Sequence, residues 1–178
     1  MKRPSGSREV RRKALFPRHS GRSRGPASRV LPKEEDTLRA AGSLADCVRE
    51  SGEGALICLR GPLGSGKTVF VRGFLRKLGH KGAVRSPTFG LIHEYRRLRP
   101  QVLHLDLYRL KPRESEGLGL RELLRVSGCV FLIEWPEAAQ ALLPKDRLEL
   151  SFAHVPNGGR RLRLRALGPR SRRLTAAF

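Results

Sequence analysis

The sequence predicts an α/β fold, with one P-loop NTPase-like domain in which helices flank a mixed β-sheet. Three observations lead to this prediction. A short apolar run, residues 55–59, lies directly before a glycine-rich loop, residues 61–68, as a buried strand would. Further strand-like segments follow that loop along the chain. Near the C-terminal end, two segments alternate apolar with polar residues around a turn, which predicts a β-hairpin with one face in water.

Each element is predicted in turn from its local pattern. We expect ordered structure to begin near Val30, and acidic residues at 34–36 followed by apolar residues at helical spacing predict an amphipathic helix. After the first strand, the glycine-rich loop opens a helix from about Lys67 to Leu78, and Gly79 ends it. The remaining predicted strands are residues 91–95, 102–107 and 129–133, and the hairpin pairs residues 148–152 with 162–164 around Asn157-Gly158-Gly159.

The net charge of +21 is concentrated at the two ends of the chain. Residues 1–29 hold ten Lys or Arg against one acid, and residues 160–178 hold seven Arg and no acid. We therefore divide the chain into a disordered basic tail (1–29), the P-loop domain (30–165) and a basic C-terminal tail (166–178). The N-terminal composition also matches an organellar transit peptide, although it has no clear amphipathic period.

Cysteines, histidines and hydropathy indicate a protein without disulfides or a metal knuckle. Cys47, Cys58 and Cys129 are odd in number and widely spaced, so we expect reduced, inert thiols. The histidines from residue 80 onwards have no metal-ligand spacing and are interpreted as core or surface residues.

No apolar run approaches the roughly 18 residues that span a bilayer. We expect a cytoplasmic protein with no membrane partner.

The most specific motif is the glycine-rich loop, whose spacing satisfies the GxxxxGK[ST] pattern between a predicted strand and a predicted helix. Its glycines let backbone N–H groups point at phosphates, and the start of the helix adds partial positive charge. Lys67 would carry a point charge to the β- and γ-phosphates, and the Thr68 hydroxyl would coordinate Mg²⁺. The motif therefore predicts ATP and Mg²⁺ as ligands of Gly61-Pro62-Leu63-Gly64-Ser65-Gly66-Lys67-Thr68.

Such a loop needs an acid at a nearby strand end to hold Mg²⁺ and a group that orients the nucleophile. Glu134 and Asp106 each end an apolar run, although either could be a surface carboxylate. Ser86 and Thr88 flank a proline 20 residues beyond the loop, either as a γ-phosphate sensor or as a plain turn. Trp135, the single tryptophan, could pack the core or lie at the nucleotide site.

Four motifs together resemble the TsaE family, formerly YjeE, over about residues 31–165. They are Gly61–Thr68, Ser86-Pro87-Thr88-Phe89, His104-Leu105-Asp106-Leu107-Tyr108-Arg109-Leu110 and Ile133-Glu134-Trp135-Pro136-Glu137. Pro62 and Ser65 depart from the family's loop. The resemblance implies an ATPase that supports the TsaB–TsaD pair in forming N6-threonylcarbamoyladenosine (t6A) at position 37 of tRNAs reading ANN codons, with hydrolysis resetting the complex. Such an enzyme is expected to be weak alone and stimulated by its partners.

The same resemblance implies a role for each site residue. Lys67 would bind phosphate and act in catalysis, Thr68 and Glu134 would hold Mg²⁺, and Asp106 would be the acid needed for hydrolysis. Ser86 and Thr88 would form a switch-like segment, with Trp135 adjacent to the site. The basic tails are not part of the family pattern, and contact with tRNA either indirectly or through these tails stays open.

Three other functions compete with this interpretation. A small-molecule kinase could use the same loop with Asp106 beside a substrate hydroxyl, but we find no Arg-rich lid insertion. A GTPase is disfavoured because no Asn-Lys-x-Asp guanine motif occurs. A nucleic-acid-binding module would make the basic ends the functional part of the chain.

Overall fold

The computed structural model describes residues 27–88, 90–156 and 158–176. Residues 1–26, most of the predicted N-terminal tail, and Phe89 of the second motif therefore lie outside the described residues. The elements in chain order are β1 (Ala27–Leu31), α1 (Glu34–Ser51), β2 (Ala55–Arg60), α2 (Lys67–Lys77), β3 (Ile92–Tyr95), β4 (Val102–Asp106), α3 (Pro112–Glu116), α4 (Leu120–Leu123), β5 (Val130–Glu134), a 3₁₀ helix (Pro136–Ala139), β6 (Leu148–His154), β7 (Arg160–Ala166) and α5 (Pro169–Ala176).

The strands form one mixed seven-stranded sheet in the order β1-β7-β6-β2-β5-β4-β3. Strands β6, β2, β5 and β4 are parallel, and β3, β7 and β1 run antiparallel to their neighbours. All residues of β4 and β5 are buried, and the continuous apolar run of β5 reflects a strand whose two faces are both covered. The predicted α/β class, the mixed sheet and the C-terminal hairpin of β6 and β7 are confirmed.

Two apolar layers form the core. On one face of the sheet, α1 and α2 pack against a cluster that reaches Leu162 and Leu164 of β7. On the other face, α4 and residues 136–143 cover β4 and β5. Arg161, Arg163 and Arg165 alternate with the buried leucines of β7 and are exposed on this second face. The alternation that predicted the hairpin therefore reflects one covered and one solvated face.

The helix of the glycine-rich loop is held by a close approach between α1 and α2. A Cβ atom at Gly73 of α2 would lie 2.8 Å from the Leu38 Cα of α1 and 2.9 Å from its carbonyl oxygen. Only glycine lets the two backbones come this near without displacement. Helix α2 is packed tightly against α1 as a result.

The structure corrects the expected boundaries at both ends. Order was expected from Val30, but β1 begins at Ala27 and pairs with β7. The stretch treated as a C-terminal tail contains α5, in which Leu174 is buried against the core. The Asp146 carboxylate accepts hydrogen bonds from the first N–H groups of this helix, at Arg170 and Ser171. Because Asp146 is 24 residues upstream, no local pattern reveals this cap.

No helix among the described residues has the length and apolar character needed to cross a bilayer.

Candidate functional site

The glycine-rich loop lies between the end of β2 and the start of α2. Gly61 and Gly66 have φ values of 136° and 101°, a region that side chains other than glycine rarely occupy. A Cβ atom at Gly61 would also lie 2.4 Å from the Phe152 carbonyl oxygen of β6. Gly66 is the N-cap of α2, so the unpaired N–H groups of the first helical turn face the loop. This is the concave, donor-lined form that binds anions.

The Lys67 side chain is buried inside this loop. Its ammonium donates hydrogen bonds to the carbonyl oxygens of Gly61 (2.8 Å) and Pro62 (2.9 Å). The Nζ atom also lies 3.9 Å from the ring centroid of Trp135. Desolvation by burial lowers the pKa of Lys67, while the nearby carboxylates of Glu134 and others oppose that shift. The ammonium is thus held at the centre of the loop by groups on both sides.

Thr68 and Glu134 meet although they lie 66 residues apart in sequence. The Thr68 Oγ1 atom is 2.9 Å from one carboxylate oxygen of Glu134 and 3.0 Å from the other. Glu134 ends β5, where it is paired in register with Leu59 of β2, the strand that leads into the loop. Parallel pairing of β2 and β5 therefore brings the acid to the hydroxyl.

Asp106 holds the segment that contains Ser86 and Thr88. It is buried at the end of β4, directly across from Glu134 in the parallel register. The hydroxyls of Ser86 and Thr88 both donate to its Oδ2 atom, at 3.0 Å for Thr88. The N–H group of Tyr108 donates to Oδ1 at 3.0 Å. The two predicted strand-end acids and the predicted switch-like segment therefore lie together beside the loop.

His104 is a site residue that the sequence interpretation missed. Its ring is fully buried, and its Nε2 atom lies 3.0 Å from Glu134 Oε1. The other ring nitrogen, Nδ1, has no hydrogen-bond partner among the described residues. A signal was present, because His104 precedes Asp106 by two positions on one strand and so faces the same side of the sheet. Spacing for metal ligation was the wrong criterion for a residue that contacts a carboxylate.

Trp135 lies against Lys67 of the glycine-rich loop. Its ring contacts Lys67 and lies 4.8 Å from the ring of Tyr108, centroid to centroid. Its φ of 56° is left-handed, a conformation that costs of order 1–3 kcal/mol for a bulky residue. The N–H group of Trp135 donates to the Leu59 carbonyl oxygen at 3.2 Å, which helps to hold this geometry.

The residues present fit a magnesium–nucleotide ligand. The buried Ser65 hydroxyl in the loop has no hydrogen-bond partner among the described residues, as expected of a donor reserved for a ligand. Across the described ranges, no group of three His, Cys, Asp or Glu could enclose a metal ion. The pair of Thr68 and Glu134 instead suits Mg²⁺, which keeps several waters and takes few protein ligands. Leu63, at the lip of the loop, is 72% exposed.

Comparisons with known proteins agree with one another. A family model described as threonylcarbamoyl adenosine biosynthesis protein TsaE matches residues 31–162. The tRNA threonylcarbamoyladenosine biosynthesis protein TsaE of Haemophilus influenzae is 36% identical over 121 residues, which cover 66% of this chain and 76% of that protein. The protein of the same name from Aquifex aeolicus is 43% identical over 111 residues, or 61% of this chain and 75% of that protein. The crystal structure of Bacillus subtilis YdiB superposes with a TM-score of 0.70 at 28% identity, covering 85% of this chain and 92% of that one.

Proposed function

The chain belongs to the TsaE family, and from this premise we propose that it is a Mg²⁺-dependent P-loop ATPase in tRNA threonylcarbamoyladenosine biosynthesis. The names of its relatives supply the pathway. The observation that carries the chemistry is the contact of Thr68 with both oxygens of Glu134 beside a glycine-rich loop. A hydroxyl and a carboxylate in this arrangement are the protein ligands that a P-loop ATPase needs for its metal ion.

Nucleotide binding would use groups that already converge on the loop. The N–H groups of the loop and of the first turn of α2 would donate to the phosphate oxygens, together with the free hydroxyl of Ser65. The Lys67 ammonium would exchange its two carbonyl acceptors for the β- and γ-phosphates. Thr68 and Glu134 would hold Mg²⁺, which neutralises charge on the phosphate oxygens when bound.

Hydrolysis would depend on Asp106. We propose that its carboxylate orients a water molecule for attack on the γ-phosphorus, so that ATP and water give ADP and inorganic phosphate. Because Ser86 and Thr88 donate to the same Oδ2 atom, a change at the γ-phosphate would alter their hydrogen bonds. The segment between them would then report the state of the nucleotide to the surface, as a switch does.

The proposal also names partner proteins and a cellular location. TsaB and TsaD are the proposed partners, and ATP hydrolysis on this chain would reset their complex between rounds of t6A formation. ATP turnover by the chain alone would be slow, because hydrolysis in the absence of the partner proteins would consume ATP without any t6A formation. A cytoplasmic location is part of the same proposal, since it rests on the role in tRNA modification.

A turnover assay with matched variants tests the proposal. Phosphate release from ATP would be measured for the full chain alone and with TsaB and TsaD, using Glu134→Gln as the metal-site variant and Glu137→Gln as its exposed neighbour. We expect stimulation by the partners, loss of turnover in Glu134→Gln and near-normal turnover in Glu137→Gln. ATP turnover that does not change when TsaB and TsaD are added would argue against the role in the complex. Transfer of phosphate to a small-molecule hydroxyl instead of water would favour the kinase interpretation.

A further inference from the structure

Arg160 is the first residue of β7, at the end of the hairpin nearest the glycine-rich loop. Its backbone pairs with His154 of β6 on one side and with Leu31 of β1 on the other. Its side chain shares a face of the sheet with the buried Leu162 and Leu164, the face against which α1 and α2 pack. The neighbouring Arg161 points to the opposite, solvated face.

The Arg160 guanidinium reaches the start of α2. A Cβ atom at Gly66 would lie 2.7 Å from Arg160 Nη1 and 3.1 Å from its Cδ, so the side chain packs directly on the N-cap of the helix. Nη1 is buried and has no hydrogen-bond partner among the described residues. Within the described ranges no carboxylate forms an ion pair with Arg160 either.

This arrangement is unfavourable for the protein alone. A buried guanidinium nitrogen is ordinarily hydrogen-bonded, and leaving one without a partner is unfavourable. The N-terminus of α2 and the Lys67 ammonium both add positive potential to the same loop. An anion bound at this loop would therefore have positive groups near it from the helix, from Lys67 and from Arg160.

The hairpin end is fastened to the loop, so that Arg160 is held in place. The His154 ring nitrogen Nε2 lies 3.4 Å from the Leu63 carbonyl oxygen. Gly61 packs so closely on Phe152 that a Cβ atom would overlap its carbonyl oxygen. Gly159, with a φ of 78°, lets the turn approach the backbone at the end of β1. The backbone that carries Arg160 therefore needs no rearrangement to present the side chain at the loop.

We propose that Arg160 is a phosphate ligand of the nucleotide, donating from the hairpin side of the loop, whereas the Lys67 ammonium lies against Trp135. The inference rests on the proposed function and adds a binding residue that the GxxxxGK[ST] motif does not contain. Arginine suits this position because its planar fork offers two parallel donors to phosphate oxygens. The hairpin thereby becomes part of the nucleotide site.

The test compares Arg160→Gln with Arg161→Gln in the full chain, measuring ADP affinity by calorimetry and the free energy of unfolding without nucleotide. We expect Arg160→Gln to weaken ADP binding by about tenfold or more, the effect of losing a charge-assisted hydrogen bond. Its stability without nucleotide should be equal to the wild type or higher, because the buried Nη1 atom that lacks a hydrogen-bond partner has been removed. Arg161→Gln should change neither quantity.

Each outcome decides the matter. If Arg160→Gln binds ADP within twofold of the wild type, the inference is wrong while the ATPase proposal stands. If the wild type itself does not bind ADP, both fail. If Arg160→Gln loses ADP affinity and stability together, Arg160 acts through the fold and the inference is overturned.

Discussion

Replacing Gly73 by alanine should destabilise the protein, although alanine is the better helix former. The residue lies in the middle of α2 where this helix packs on α1. An added Cβ atom would come within 2.8 Å of Leu38 Cα, 2.9 Å of the Leu38 carbonyl oxygen and 2.9 Å of Ala41 Cβ. Two of these three atoms belong to the backbone of α1 and cannot rotate away.

The expected magnitude is a difference between two opposing terms. Gly→Ala in a helix interior gains about 1 kcal/mol. Overpacking of a well-packed core costs about 1–3 kcal/mol, and contacts with backbone atoms favour the upper end. The net loss is then about 2 kcal/mol, which for a domain of this size lowers the melting temperature by about 4–8 °C.

Gly42 of α1 provides the matched control. Its nearest neighbours for an added Cβ are side-chain carbons of Lys77 at 3.7 Å, an ordinary van der Waals distance. Gly42→Ala should therefore keep the propensity gain and stabilise the protein by about 0.5–1 kcal/mol. Urea unfolding and thermal melts of both variants measure the two effects. Equal stability of the two variants would refute the argument that α1 and α2 touch at Gly73.

Three further predictions concern the site and the thiols. Lys67→Ala should abolish ADP binding, whereas Asp106→Asn should bind ADP but release no phosphate from ATP. Equal ADP affinity of the wild type and Lys67→Ala in calorimetry would contradict the prediction for Lys67. His104→Leu should raise the Mg²⁺ concentration for half-maximal turnover by about 10–100-fold with little change in metal-free ADP affinity, because a partner of the metal-binding carboxylate is lost. Iodoacetamide at pH 8 should label the half-buried Cys47 before Cys58. The reason is that burial raises the pKa of Cys58 to about 12, so that almost no thiolate is present at pH 8. Early labelling of Cys58, detected by mass spectrometry, would disprove this.

Much of the fold could be predicted because its elements carry local patterns. The buried strand before the glycine-rich loop and the helix after it were identifiable from residues 55–78 alone. The hairpin was predictable from the alternation that one solvated face imposes on β6 and β7. Strand β1 and helix α5 were missed, because each is short and is held by a distant partner, Leu162 among others for β1 and Asp146 for α5.

The candidate site, like the fold, was predictable from the sequence only in part. The sequence marked Glu134 and Asp106 because each follows an apolar run, and the structure brings both to the loop. It could not show that His104 contacts Glu134 or that Arg160 lies on Gly66. These contacts join segments that share no spacing rule.

The sequence by itself determined the phosphate-binding loop, because eight consecutive residues contain all the glycines, the lysine and the hydroxyl that such a loop requires. Only the tertiary structure decided which side chains surround it. The order β6-β2-β5-β4 places β2 between the hairpin on one side and two acid-bearing strands on the other. Strand order follows from pairing and burial summed over the whole sheet, and that long-range free energy leaves no period or motif in the chain.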